Sequence, residues 1–526
     1  DEPAWGKNSA SFYYALSTGD YAATYQLAHP GVTTMWAGAA AYHLQFPQYQ
    51  RVGQVQLGDT RLFQIFEKHG PPPMEVLATA RMFVALLVIL TLLVSFYFAR
   101  RLFGLLPALA GLGLMALDPF FVGHSRLLHV DALLSSFMFL SLIAYLHFQR
   151  FRRWPALVVS GAAGGLSLLT KTPGMLLFPV IGLLAGLDLL RAYLREGSLR
   201  RASHWGQAAL PLAWWAALAG FVFFLAWPAM WVEPGTTLSR MADYTLSSAE
   251  GEIGGAQFVE AFEAGGGRGS MYLYFYPLTI AWRSTPQVLI GLLLLPFLLL
   301  DKSNRVTSQA GGAAFLGLGV FLAVFTLFMS LGTKKFDRYF LPAYPPLQLL
   351  AGVGWISAVD WFQASRTGLT RKLPSLLVAS LLLGGQLLLL RQHFPYYLTY
   401  YNPLMGGSRK AEEVMMIGWG EGLNQAAVYL RSIPDIRNRT ILSWYSLAFN
   451  WYSLSFRFEA EPIPFPGDLR GSQGVNLQAA DYLVLYANQW QRRIPGELFD
   501  LLAGQEPEKT IWIDGIEYAR IYHLEH

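Results

Sequence analysis

The sequence predicts an all-α polytopic membrane protein of about ten spans, followed by a small C-terminal α/β domain on the extracytoplasmic face. Apolar residues gather in runs of about 20, the length that crosses a bilayer. Only 14% of the 526 residues are charged and 53% are hydrophobic, against about 25% charged in soluble domains. Basic residues, finally, crowd into alternate loops. This composition excludes a soluble enzyme and a disordered chain. The net charge of +5, spread over ordinary loops, reads as membrane topology, and no nucleic-acid partner is expected. Cysteines are absent, which removes disulfides, thiol nucleophiles and Cys-based metal sites.

The apolar runs fall at 74–99, 105–122, 130–149, 155–170, 173–194, 206–231, 286–300, 313–331, 339–362 and 374–391. Alternate loops between them hold Arg100 and Arg101; Arg150, Arg152 and Arg153; Arg191, Arg195, Arg200 and Arg201; Lys302 and Arg305; and Arg366, Arg371 and Lys372. The positive-inside rule places these five loops in the cytoplasm. Residues 1–73, the 232–285 loop and the tail from 392 then lie outside. The short outer loops hold Arg126, Lys171, Lys334, Lys335 and Arg338, whose positions topology does not explain.

Three segments are therefore expected: a first outer loop (1–73), a membrane domain (74–391) and an outer α/β domain (392–526). The first lacks a signal-peptide pattern. Its run 32–46, too short and polar to span, reads as an interfacial helix. In the tail, 411–430 reads as a helix and 441–444 and 481–487 as strands. Segments 511–513 and 516–522 read as a hairpin about Asp514-Gly515. Gly265-Gly266-Gly267-Arg268-Gly269 reads as a loop tip. Asn438-Arg439-Thr440 matches the N-glycosylation pattern, a tripeptide common by chance.

Several polar groups lack an inexpensive structural reason. Asp118-Pro119, His124-Ser125-Arg126, His129 and Asp131 put two carboxylates, two imidazoles and a guanidinium beside a span, where each costs several kcal/mol (order of magnitude) unless paired or hydrated. Helical spacing sets His124 and Asp131 on one face and Arg126 and His129 on another. A plainer reading has Asp131 capping the next helix and Arg126 snorkelling to head groups. Thr170-Lys171-Thr172-Pro173 and Lys334-Lys335-Phe336-Asp337-Arg338-Tyr339 place phosphate-suited cations in outer turns. Head-group anchoring accounts equally well for Lys334 and Lys335, and less well for Arg338 directly before a span. Asp1-Glu2 and His29-Pro30-Gly31 carry no specific signal alone; solvation and a plain turn explain them. No nucleotide-cradling, zinc-protease or nucleophile-elbow motif is present, so no nucleotide or organic cofactor is expected.

An enzyme that takes a sugar from a lipid phosphate at the outer leaflet needs such an inventory. A carboxylate accepts the acceptor's proton, and cations stabilise the departing phosphate. On these residues the chain resembles the GT-C glycosyltransferases that use polyprenyl-phosphate sugars: the protein O-mannosyltransferase family (glycosyltransferase family 39) and its aminoarabinose-transferring relatives. The resemblance rests on Asp1-Glu2, His29-Pro30-Gly31, Arg81, His124-Ser125-Arg126, Asp131, Lys171, Lys335, Arg338-Tyr339 and Leu341-Pro342, and covers roughly residues 1–400. It implies an inverting transfer at the outer face of the cell membrane, from a polyprenyl-phosphate sugar, mannose-like favoured, to an extracytoplasmic protein hydroxyl or glycolipid. It implies Asp1 as the catalytic base or a metal-assisted equivalent, with Glu2 beside it. Arg126, Lys171, Lys335, Arg338 and Tyr339 are implied near the donor phosphate, and His29, His124 and Asp131 near substrate. A divalent metal is compatible, with no ligands assigned.

Two departures bear on specificity. The mannosyltransferases usually show His-Pro-Pro and the aminoarabinose transferases Glu-Lys-Pro where this chain has His-Pro-Gly, which leaves the sugar and any metal open. Family members also carry a spanning helix before the acidic pair, so a first helix upstream of Asp1 is expected. Gly418-Trp419-Gly420-Glu421-Gly422 is expected either to lean over the membrane cavity or to open a helix with Glu421 in its first turn. Two other functions stay open: a transporter or lipid-sugar flippase, and a catalytically silent scaffold subunit of a membrane complex. The first is disfavoured because charges gather at outer span ends and no internal repeat is visible.

Overall fold

The structure is a computed structural model that describes residues 2–27, 29–55, 58–196, 202–250, 274–300, 305–332, 335–363, 369–463 and 480–524. Asp1, Lys334 and the 265–269 glycine run lie outside the described residues. Among the described residues, six helices are long and apolar enough to cross a membrane: Pro73–Phe103, Val130–Phe151, Thr172–Arg191, Ala208–Leu225, Gly311–Leu331 and Leu373–Gln392. The pair Leu105–Ala116 and Pro119–Ser125, bent by 62°, makes a seventh if counted as one span. The remaining three apolar runs are helical but shorter or broken. Trp154–Thr170 has 17 residues. The 286–300 run splits into Pro286–Leu293 and Phe297–Leu300 around Pro296, which lacks an N–H and obstructs the preceding turn. The 339–362 run opens with the 3-10 turn Asp337–Ala343, containing Pro342, before Tyr344–Phe362.

Val130–Phe151 is the hub: its most apolar window is 100% buried, against 22–39% for the other five. Pro73–Phe103, Trp154–Thr170 and Gly311–Leu331 pack on it, and Pro73–Phe103 turns Leu86, Leu90, Leu93 and Tyr97 outward, as lipid-facing helices do. Hydroxyls tie the layers together. Ser141 Oγ donates to the Ser160 carbonyl at 2.8 Å, and Trp215 Nε1 donates to Ser160 Oγ at 3.0 Å. At the basic end, Arg152 and Arg191 both reach Asp188, at 3.1 and 3.2 Å, so two of the Arg-rich loops meet there.

The first loop folds into Glu2–Thr18, Val32–Gln45 and Asp59–His69. The expected helix over 32–46 is present. It packs closely on its neighbour, since a Cβ on Gly38 would lie 2.1 Å from Ser9 Oγ.

The C-terminal domain is built on five strands: β1 (Ile441–Ser443), β2 (Ala460–Pro462), β3 (Tyr482–Tyr486), β4 (Lys509–Ile513) and β5 (Ile516–His523), in the order β2-β1-β3-β5-β4. Strand β1 is parallel to β2 and β3, and β5 is antiparallel to β3 and β4. Asp514 (φ 52°) and Gly515 (φ 81°) make the β4–β5 turn, with the positive angles a two-residue hairpin favours. The expected 411–430 helix is corrected to two, Gly407–Val414 and Leu423–Arg431. Gly418, Gly420 and Gly422, at φ 100°, 98° and 85°, cannot continue a right-handed helix. The hairpin turn also fastens the domain to the exit of the last span. His393 Nδ1 lies 2.7 Å from Asp514 Oδ2, and the Thr399 hydroxyl donates to the same oxygen.

Candidate active site

Asp131 stands in the first turn of the hub helix, capped by the His129 side chain, which accepts the Asp131 N–H. A carboxylate there is favoured by the helix dipole, and here it also gathers cations. Lys171 Nζ donates to Asp131 Oδ1 at 2.7 Å. Arg338 Nε lies 3.4 Å from Asp131 Oδ2, and His129 Nδ1 lies 3.3 Å from it. Tyr339 floors the cluster, with its ring 4.4 Å from Lys171 Nζ and 5.0 Å from Arg338 Cζ. Burial pushes the His129 imidazole down, and the Asp131 charge does not restore it, so a neutral ring sits beside two cations sharing one carboxylate. The cluster keeps one net positive charge.

Lys171 owes its place to the first loop. The Gly31 N–H donates to the Thr170 carbonyl at 3.1 Å, and the Thr33 and Thr170 hydroxyls meet at 2.8 Å. Gly31 has φ 59°, and a Cβ there would lie 2.0 Å from the Trp5 ring. Proline, fixed near −65°, cannot occupy it, which gives the His-Pro-Gly departure a physical cause. His29 packs edge-on against Trp5 at 5.7 Å, and Trp5 reaches His129 at 6.3 Å.

Glu2 is fully engaged. It accepts from Arg81 Nε at 2.7 Å, from Arg81 Nη2 at 2.5 Å and from the Leu128 N–H at 2.8 Å. Burial raises its pKa, but the Arg81 charge and these hydrogen bonds more than offset that and hold the carboxyl below its ordinary value of 4.5. Glu2 therefore clamps the first helix to the Pro73–Phe103 span and to the 124–131 turn.

Other expected residues sit apart from this cluster. Arg126 Nη1 donates to the Pro395 carbonyl at 2.5 Å, and its Cζ lies 5.4 Å from the Tyr397 ring. It braces the exit of the last span. Lys335 Nζ donates to the Ser330 and Gly332 carbonyls, at 3.0 and 2.5 Å, capping the end of Gly311–Leu331. His124 is buried between the Phe120 and Trp419 rings, at 4.8 and 5.2 Å. Neither of its ring nitrogens has a hydrogen-bond partner among the described residues.

Two residues outside the implied set of site residues complete the site. Arg283, buried, donates from Nε to Asp337 Oδ2 at 2.8 Å and from Nη1 to the Leu398 and Tyr400 carbonyls at 2.9 Å each. Asp337 in turn accepts the Arg338 N–H at 2.7 Å, so Arg283 fixes the turn that carries Arg338. Its signal was an arginine just before Ser284-Thr285-Pro286, in an outer loop where topology predicts few. The second is Trp419, whose ring lies 4.4 Å from Arg338 Cζ and 5.9 Å from the His129 ring. The 418–422 loop thus leans onto the membrane domain, the first of its two expected placements. Glu421 precedes the Leu423–Arg431 helix and folds back, accepting the Trp419 N–H at 2.6 Å.

A cavity of about 260 Å³ runs between the two domains, with Glu2, His129, Arg338, Trp419, Tyr452 and Arg492 in its wall. Among the described residues, no group of three or more His, Asp or Glu side chains is arranged to hold a metal ion.

Fold and site together define a multi-pass membrane protein whose cation-lined cavity is closed by a C-terminal α/β domain. Residues 72–235 match the family model described as dolichyl-phosphate-mannose-protein mannosyltransferase. No curated protein sequence matches significantly. Among solved structures, the chain is similar to ArnT from Cupriavidus metallidurans bound to undecaprenyl phosphate, with 16% identity, 98% of this chain and 93% of that one covered, and a TM-score of 0.47. It is also similar to the oligosaccharyltransferase AglB from Archaeoglobus fulgidus in complex with an inhibitory peptide and a dolichol-phosphate, with 12% identity, 91% and 66% covered, and a TM-score of 0.42.

Proposed function

We propose that this chain is an integral-membrane glycosyltransferase of the GT-C type, moving a sugar, mannose-like, from a polyprenyl-phosphate donor to an extracytoplasmic protein hydroxyl or glycolipid. The observation that carries this reading is the convergence of Lys171 and Arg338 on Asp131, with Arg338 in the cavity wall. The family match over 72–235, which includes Asp131 and Lys171, points the same way. In this reading Arg338 and Lys171 take the donor phosphate and stabilise its charge as it leaves. The acceptor oxygen attacks the anomeric carbon from the opposite face, the carbon–oxygen bond to phosphate breaks, and configuration inverts. Asp1 removes the acceptor proton. Its neighbour Glu2, which lines the cavity but is bound to Arg81, is a positioning residue. The Arg-rich end faces the cytoplasm of the cell membrane and the cavity faces outward.

The test is transfer of radiolabel by the purified full chain from polyprenyl-phosphate mannose, and from other polyprenyl-phosphate sugars, to peptide or glycolipid. Transfer is expected, and Asp1→Asn should lower its rate about 10²–10⁴-fold, the usual contribution of a general base. Movement of the lipid sugar across vesicles without any transfer would instead support the transporter. Inactivity in both assays would support the scaffold.

A further inference from the structure

Arg338 belongs to the cavity wall, and three rings surround its guanidinium. Phe336 and Tyr339, 4.5 and 5.0 Å from Cζ, belong to its own turn. Trp419, at 4.4 Å, comes from the C-terminal domain. The loop that delivers it is held from behind. Gly420 N–H donates to the Tyr486 hydroxyl at 2.7 Å, and that hydroxyl donates to Glu421 Oε2 at 3.2 Å. A Cβ on Gly418 would come within 2.5 Å of the Tyr486 ring, so the loop lies flat on β3 and projects one side chain. A long arginine loses considerable rotamer freedom when it binds an anion, and a ring stacked on its guanidinium removes that freedom beforehand.

We propose that Trp419 is a positioning residue for the donor, holding the Arg338 guanidinium in the orientation in which it meets the donor phosphate. The C-terminal domain then tunes donor binding directly. This rests on the reading of Arg338 as a phosphate ligand given above.

Donor KM, acceptor KM and kcat measured on the full chain test it. Trp419→Leu keeps bulk but removes the aromatic face and should raise donor KM roughly tenfold, with acceptor KM unchanged. Trp419→Phe should recover most of the loss. Gly420→Ala, whose Cβ would meet nothing nearer than 3.9 Å but whose φ of 98° suits alanine poorly, shifts the loop without deleting the ring and should give a smaller rise. Unchanged donor KM in Trp419→Leu overturns the proposal. So does an equal loss in the Leu and Phe variants with acceptor KM rising in step, which marks plain packing. A fall in donor KM also overturns it, marking Trp419 as an obstruction. Arg338→Lys separates the two readings: if it leaves donor KM unchanged, the phosphate assignment itself fails and Trp419 loses its role with it.

Discussion

Each end of the membrane domain has two cations sharing one aspartate, and the two arrangements differ in almost everything else. At the basic end Arg152 and Arg191, 48% and 31% exposed, meet Asp188 at 18%. At the cavity end Lys171 and Arg338, 16% and 12% exposed, meet Asp131 at 2%. Water and salt screen the first trio, so each pair there contributes about 0–1 kcal/mol. The second trio is bound tightly because each member is a buried charge without the others, and removing one partner of such a pair costs about 3–5 kcal/mol. Two cations and an aspartate therefore do different work at the two ends. At the basic end they tie a surface loop to the neighbouring helix, and at the cavity end they hold a preorganised charge.

That contrast breaks most directly at its two aspartates. Asp131→Asn, which keeps shape but leaves Lys171 and Arg338 without a counter-charge, should destabilise the protein by about 3–5 kcal/mol. Thermal unfolding in detergent reads this, and a loss as small as that of Asp188→Asn would erase the distinction. Glu2→Gln should cost somewhat less, about 1.5–3 kcal/mol, because charge-assisted hydrogen bonds weaken while shape is kept. This one depends on pH. The folded Glu2 carboxyl lies below its ordinary 4.5, so its stabilisation is complete above that value and is lost as pH falls through the lower folded one. Protease sensitivity of the first loop should rise on acidification in the native protein, and should be pH-independent over that range in the glutamine variant. Arg338→Lys keeps the charge and loses the fork, which should weaken donor binding roughly tenfold with little change in melting temperature. Smallest of all, Asp188→Asn should shift stability by less than about 1 kcal/mol and leave transfer untouched.

Much of the membrane domain was legible because apolar periodicity and loop charge are one-dimensional signals. All ten apolar runs form helix. Their breaks at Pro296 and Pro342 come from proline, a local signal that apolar periodicity alone does not read. In the site, Asp131, Lys171 and Arg338 could be singled out as charged residues at span ends, Tyr339 is placed there only by the family resemblance, and the fold brings the four within contact. Arg126 and Lys335 passed the same filter but bind the Pro395, Ser330 and Gly332 carbonyls. A sequence shows a cation, not which nearby backbone oxygens lack a donor. Glu2 looked like half of a catalytic pair, and only the geometry shows Arg81, 79 residues away, consuming it. Trp419 and Arg283 act through contacts between distant segments; the glycine-flanked loop and the outer-loop arginine mark the positions, but neither pattern names the partner.

The sheet order has a consequence for how the protein is made. Strand β5, residues Ile516–His523, lies inside the sheet between β3 and β4. The loop of Trp419 rests on that sheet: a Cβ on Gly422 would sit 3.1 Å from Ile511 and 3.4 Å from Tyr518. Synthesis runs from the N-terminus, so every apolar run is delivered to the bilayer about a hundred residues before the platform under Trp419 can close. A nascent chain halted short of 516 would be inserted and helical with its cavity unroofed. Closure of this sheet is thus the step that completes the cavity wall at Trp419.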